Sequence, residues 1–245
     1  MNYIIFDLEF NQRHPDDKNA KSPPLMFEII QIGALKLNEH LEIISSFNAL
    51  VKPTVHLIIH PYVEELTGIT TSEVNLCETF PQIYEKFLDF IGTIDIVLGV
   101  WGSDDIKQLI KNINFHNLSD SNLPKRYIDI QKYTSKHCNY PKGCKIGLKN
   151  AVDVFNIPST NEFHNALNDA YYTSEVFKHI NYTKIKPKTY SYPSSKRKKS
   201  VKETINLVAL YNQFEKIYGR KMTLEEKEII KLAYIMGKTR QFINE

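Results

Sequence analysis

Three cysteines in 245 residues, at positions 77, 138 and 144, are too few and too unevenly spaced for a disulfide scaffold. The gap between Cys138 and Cys144 is wider than the roughly two to four residues of a zinc-ligand pair, and no second Cys/His pair follows. Ordinary reduced thiols are expected. Long apolar runs are missing too: no stretch approaches the ~20 residues a bilayer span needs. MNYIIFDLEF opens without a basic segment, and its apolar run is too short for a secretory signal. A soluble, cytoplasmic protein with no membrane partner is the expectation. No internal repeat is present. Acidic residues vanish between Phe177 and Lys202, where Lys184, Lys186, Lys188, Lys196, Arg197, Lys198, Lys199 and Lys202 collect. The net charge of +3 decides little, because the charge is so unevenly placed. A 42% hydrophobic content leaves room for a sizeable core.

The patterning that is present predicts a mixed sheet covered by helices. Residues 3–10 are apolar throughout and suit a strand buried on both faces. Two further strands are predicted over 27–37 and 40–51, separated by Asn38 and Glu39 as an antiparallel hairpin. Phe80, Ile83, Tyr84, Phe87, Leu88 and Ile91 recur at helical spacing behind Thr79. Short strands follow at 94–100 and 126–130, with helices over 103–113, 146–155 and about 165–180. The sequence thus divides into a catalytic-sized domain over 1–183, a basic, Ser- and Pro-containing linker over 184–202, and a helical extension over 203–245. In that extension Gly219 terminates one helix, and Thr223 with Glu226 supplies a capping box for the next. Two such helices cannot bury a core alone; a docking surface or a protein partner is expected for them. The basic tract suits either a solvated linker or a phosphate backbone.

Chemistry is signalled in three places. Asp7 and Glu9, two apart on a strand, share a face. At ~4 Å and an effective dielectric of ~20, two like charges repel by roughly 4 kcal/mol. Such a pair must protonate, meet Lys or Arg, bind a divalent cation, or lie in solvent beyond the strand's end. Asp104 and Asp105 follow the 94–100 strand, either as functional acids at a sheet edge or as favourable charges on a helix start. His164 and Asp169 would point ~140° apart if both were helical, so they converge only if His164 lies on the loop before the helix.

Taken in order, D-x-E at 7–9, an Asp after a mid-chain strand, and H-x-A-x-x-D-A at 164–170 resemble the DEDDh branch of the 3′–5′ exonuclease superfamily. EIIQIGA at 28–34, VKP at 51–53, ELTGIT at 65–70 and GLKN at 147–150 extend the resemblance over residues 3–180. FDLEF, EELTGIT and WGSDD look closest to the histone-mRNA and small-RNA trimming exonucleases and to the bacterial KapD-type proteins. Phe10 stands where proofreading-type members carry Thr, which argues against a DNA-proofreading role.

The resemblance implies a ribonuclease-H-like α/β fold with about five strands flanked by helices. It implies two divalent cations, Mg2+ or Mn2+, beside Asp7, Glu9, Asp105 and Asp169, with Asp104 as the fallback for Asp105. The expected reaction is hydrolysis at single-stranded RNA or DNA 3′ ends, RNA favoured, releasing 5′-nucleoside monophosphates. His164 would be the general base, since imidazole is the side chain that ordinarily titrates near neutrality. Phe10 and Trp101 are candidates for stacking terminal bases, or are plain packing residues. A regulatory protein on the same fold, acting through protein or RNA binding as the KapD-type resemblance suggests, is the alternative.

Overall fold

The computed structural model describes residues 1–16, 24–92, 95–180, 185–190 and 206–238. The chain divides into two compact units, 1–191 and 192–245. The first begins with β1 (Asn2–Gln12), β2 (Phe27–Leu37) and β3 (Ile43–Leu50), then α1 (Pro61–Thr67), α2 (Thr71–Asn75) and α3 (Phe80–Ile91). It continues with β4 (Ile96–Val100), α4 (Asp104–Phe115), β5 (Arg126–Asp129), α5 (Ile130–His137), α6 (Leu148–Val154), α7 (Ala166–His179) and β6 (Lys188–Thr189).

The strands form one sheet in the order β3-β2-β1-β4-β5-β6. β1, β4 and β5 run parallel, while β2 pairs antiparallel with both β1 and β3. The period-2 alternation of β1 splits its apolar residues between two layers. Ile4, Phe6 and Leu8 enter a core with Phe80, Phe87, Ile106 and Leu109 from α3 and α4. Tyr3 and Ile5 meet Phe177 of α7 on the other face. Double burial explains why the opening strand carries almost no polar residue before Asp7.

Among the described residues the sheet has six strands, one beyond the five or so expected. β6 pairs Lys188 and Thr189 with Tyr127 and Arg126, inside the stretch expected as a linker from residue 184. The remainder of that stretch lies outside the described residues, apart from 185–190. The hairpin is antiparallel as expected, but its connection is longer. Leu41, at φ 62°, turns a buried side chain into the core, and Asn38 Oδ1 accepts from the backbone of His40 and Glu42. Residues 40–42 are therefore a turn, not the start of β3. The short helices α1, α2 and α5 leave no periodic signal in the sequence because each is too brief to complete an amphipathic stripe. Side-chain caps define them instead: Thr70 with Glu73 for α2, and Asp129 accepting from the Lys132 amide for α5.

The second unit contains α8 (Leu207–Tyr218) and α9 (Leu224–Lys238). Gly219, at φ 67°, ends α8, and the Thr223–Glu226 capping box opens α9. Arg220 pairs with Glu226 across the turn between them. No helix among the described residues is long and apolar enough to cross a membrane.

Candidate active site

Asp7 lies opposite Gly33 of β2, and Glu9 opposite Gln31. This register decides what can approach the acids. A Cβ on Gly33 would stand 2.1 Å from the Ala166 carbonyl carbon and the Leu167 amide nitrogen. The N-terminus of α7 thus rests directly on β2, at the point facing Asp7. Gln31, almost fully buried, fixes the approach: its Oε1 accepts from the Ala166 amide at 3.1 Å, and its Nε2 donates to Asn48 Oδ1 at 2.9 Å. Asn165 caps the helix by accepting from the Leu167 and Asn168 amides. Asp169 enters the site from the first turn of α7.

His164 sits on the preceding loop, as the helical geometry required, with φ 63°. That left-handed conformation is uncommon for a residue with a Cβ. It lets the His164 amide donate to Asp169 Oδ2 at 3.2 Å while the exposed imidazole stays at the site. Ligand atoms of Glu9, His164 and Asp169 all lie within 4.8 Å of one another.

Asp105 arrives from the opposite layer. It occupies the first turn of α4, just past the end of β4, with only 9% exposure. Asn112, two turns further on the same helix, secures that placement. Its side chain accepts from the Ile29 amide at 3.2 Å and donates to the Phe27 carbonyl at 3.2 Å, next to the irregularity where β1 and β2 change register between Glu9 and Phe10. Asp104 points away and binds Lys107 Nζ at 2.6 Å; that hydrogen bond, with the charges of Lys107, Lys145 and Lys111, holds its carboxyl below the ordinary range. Of the two adjacent acids, the structure brings Asp105 to Asp7.

The four carboxyls strain against one another. Loss of solvent raises Asp7 well above the carboxylate range, and Asp105, Asp169 and Glu9 push it further. Glu9 rises to about 8 through burial, then Asp169 and Asp105. Asp105 rises to about 8 through burial, then Asp104 and Asp169. Burial takes Asp169 to about 6 against the lowering effect of its hydrogen bond from His164. Among the described residues none of the four forms an ion pair, and the buried Oδ1 of Asp169 has no hydrogen-bond partner. An all-oxygen donor set of excess negative charge, with a carboxylate oxygen left over, fits a hard divalent cation.

The two candidate stacking residues are both partly buried. Phe10 meets Phe27 edge-on at 6.5 Å and packs against the core under α3 and α4. Trp101 packs against both the cluster holding Phe177 and the one holding Tyr172. More exposed apolar surface lies beside the end of β1. Asn11, fully buried two residues beyond Glu9, donates to the His56 and Ile58 carbonyls at 2.8 and 3.0 Å and accepts from the His60 amide at 2.9 Å. Glu28 accepts from the Thr54, Val55 and His56 amides. Segment 54–60 is thereby held at the end of β1, and its Leu57 and Ile58, with Tyr62 at the start of α1, are more than half exposed. Sequence reasoning gave no role to Asn11, Gln31, Gly33 or Asn112. A glycine and a glutamine inside an apolar strand were the available signals.

The profile of the RNase_T family, described as Exonuclease, matches residues 4–177. The DNA polymerase III PolC-type protein of Clostridium perfringens is 30% identical over 177 residues, which is 72% of this chain and 11% of that protein. The 3′-5′ exoribonuclease 1 of Homo sapiens is 36% identical over 75 residues, 30% of this chain and 22% of that protein. The chain therefore spans only a small part of the length of these relatives. The nuclease domain of 3′hExo, a DEDDh family member, superposes with a TM-score of 0.65 at 23% identity, covering 78% of this chain and 96% of that domain. That last likeness is one of fold: a ribonuclease-H-like mixed sheet flanked by helices. With the family profile extending over most of its length, the chain belongs to the exonuclease family.

Proposed function

We propose that the chain hydrolyses the terminal phosphodiester at the 3′ end of single-stranded nucleic acid, RNA in preference to DNA, and releases 5′-nucleoside monophosphates. The observation that carries this reading is the convergence of Glu9, His164 and Asp169, beside Asp7 and Asp105, from segments far apart in the chain. Asp7, Glu9, Asp105 and Asp169 would hold two divalent cations, Mg2+ or Mn2+. Bound there, such ions neutralise phosphate charge and make water a competent nucleophile near neutral pH.

The chain's own groups supply the rest. A ring nitrogen of His164 accepts the proton of the attacking water, and the exposed loop position lets the imidazole meet substrate as it arrives. Asp7, which Asp105, Asp169 and Glu9 surround, would contribute its carboxylate to the cations. Gln31 and Asn112 act as positioning residues, fixing α7 and α4 so that Asp169 and Asp105 face the β1 pair. The exposed Leu57, Ile58 and Tyr62 offer apolar surface on which a terminal base can rest, worth roughly 1–3 kcal/mol per stacked base.

The preference for RNA is supported by the relatives named as exoribonucleases. The PolC-type relative makes DNA the necessary comparison. Residues 203–245 are proposed to take a protein partner: Val208, Ile217, Leu224 and Leu232 are exposed on their helices. End-labelled single-stranded RNA and DNA incubated in Mn2+, beside an Asp7→Ala control, test the activity. Shortening from the 3′ end, lost in the control and faster on RNA, is expected. A ladder that persists in Asp7→Ala would contradict the metal-site assignment.

A further inference from the structure

Helix α5 and the turn that follows it enclose an open cavity of about 600 Å³. Lys132 and Lys136, one turn apart, project from the same face of the helix, and Lys142 and Lys145 come from the turn. No acidic residue lines the cavity, and among the described residues none of these four lysines forms an ion pair. Exposed Tyr140 adds an aromatic ring to the wall.

The cavity is built rather than incidental. Ser135 Oγ donates to the Gln131 carbonyl at 2.6 Å and accepts from the Ile146 amide at 3.1 Å. The Tyr140 amide donates to the Ser135 carbonyl at 2.9 Å. These bonds hold the turn in place, with four exposed ammonium groups around one cavity. Four cationic side chains on one wall match the repeated charges of a polyanion better than a single carboxylate. The helix that carries Lys132 and Lys136 also reaches the turn before Asp105. Gln131 Nε2 donates to the Ile146 carbonyl at 3.0 Å, and its Oε1 lies 3.1 Å from where a Cβ on Gly102 would stand. Gly102 belongs to the turn that delivers Asp105 to the acids. Gln131, next to Lys132 on α5, thus lies against the turn behind Asp105.

We propose that this cavity is a second nucleic-acid subsite, which takes phosphates of the substrate strand several nucleotides upstream of its 3′ end. The proposal rests on the exonuclease reading above for the direction of the strand. Tyr140 stacks an upstream base, and the four lysines neutralise the backbone. Short substrates then use only the acidic site, while longer strands gain affinity from the cavity.

The test compares the full-length chain with a Lys132→Gln, Lys136→Gln, Lys142→Gln, Lys145→Gln variant. A matched control carries Lys86→Gln, Lys178→Gln, Lys221→Gln and Lys231→Gln. Binding of fluorescein-labelled oligo(U), a trinucleotide or about twelve nucleotides long, is read by anisotropy in EDTA. Cleavage of both is read in Mn2+. The salt dependence of the long strand should flatten by about 0.7 per lost contact, so that between ~50 and ~200 mM salt the wild type loses roughly 50-fold more affinity than the variant. Trinucleotide cleavage should keep its kcat and KM. An unchanged salt slope in the variant, equal loss on the trinucleotide, or an equal effect of the control overturns the subsite. If the variant loses long-strand binding while neither protein cleaves, the subsite stands and the exonuclease reading falls. If the variant cleaves both strands like the wild type, the subsite falls alone.

Discussion

Gly33 and Ala166, far apart in sequence, touch backbone to backbone: a Cβ on Gly33 would stand 2.1 Å from the Ala166 carbonyl carbon. The neighbour is main chain of a capped helix start and cannot rotate aside. Overpacking of this kind costs about 1–3 kcal/mol, and more where backbone must shift. Gly33→Ala should therefore lower the melting temperature and lift α7, taking Asp169 away from Asp7. Nuclease activity should fall far more than the folded fraction does. Circular dichroism melts beside kcat on a labelled oligonucleotide check this; an active, equally stable Gly33→Ala protein would refute the close approach.

Asp104 and Asp105 differ in environment and should differ in consequence. Asp104→Asn breaks an exposed pair with Lys107, an interaction worth about 0–1 kcal/mol. Activity should stay within about twofold, consistent with an exposed pair of that kind. Asp105→Asn should remove activity. In EDTA at alkaline pH it should raise the melting temperature, because a buried charge among like charges is gone. Loss of activity in Asp104→Asn and not in Asp105→Asn would reverse the assignment.

Stability without metal should depend on pH in an unusual direction. Ordinary carboxyls titrate at about 4, whereas Glu9 and Asp105 titrate at about 8 and Asp169 at about 6 in the folded protein. The folded state then holds protons that the unfolded chain has already released. That contribution is present in full below the unfolded values and is lost as pH rises through 6 and 8. Melting temperature in EDTA should fall over this window. Mn2+ should restore it, and the gap between the two curves should widen by several degrees toward the alkaline end. Calorimetry in both conditions provides the measurement, and parallel curves would count against cation binding at these acids.

His164 is proposed to move a proton and not to hold the fold. His164→Ala should lower kcat by about 10²–10⁴-fold with little change in Mn2+ affinity. Asn tolerates the left-handed backbone that His164 adopts, so His164→Asn should fold at least as well as the alanine variant and be as inactive. Pre-steady-state cleavage together with Mn2+ titration separates these effects. Loss of Mn2+ binding equal to that in Asp7→Ala would assign the imidazole to the metal instead.

Local pattern reached a long way into this fold. Strand periodicity placed Asp7 and Glu9 on one face, and the α3 stripe of Phe80, Ile83, Tyr84, Phe87 and Ile91 is buried as its spacing predicted. The angle between helical positions put His164 on a loop, where it lies. Gly219 and the Thr223 box end and start helices for reasons contained in their own neighbourhoods. These features depend on bonds between residues a few positions apart, so the sequence carries them directly.

Other features have no local signature. The bond from the Ala166 amide to Gln31, the bond from Ile29 to Asn112, and the approach of Asp105 to Asp7 each join segments far apart in the chain. The two-residue β6 forms because Tyr127 and Arg126 present an edge, not because Lys188 and Thr189 favour extended structure. From sequence alone came which residues could form strands, caps and acids. Which of them meet was left to the packing of α4 and α7 on opposite faces of one sheet, since burial of apolar faces, blind to residue order, draws distant polar groups to a common edge.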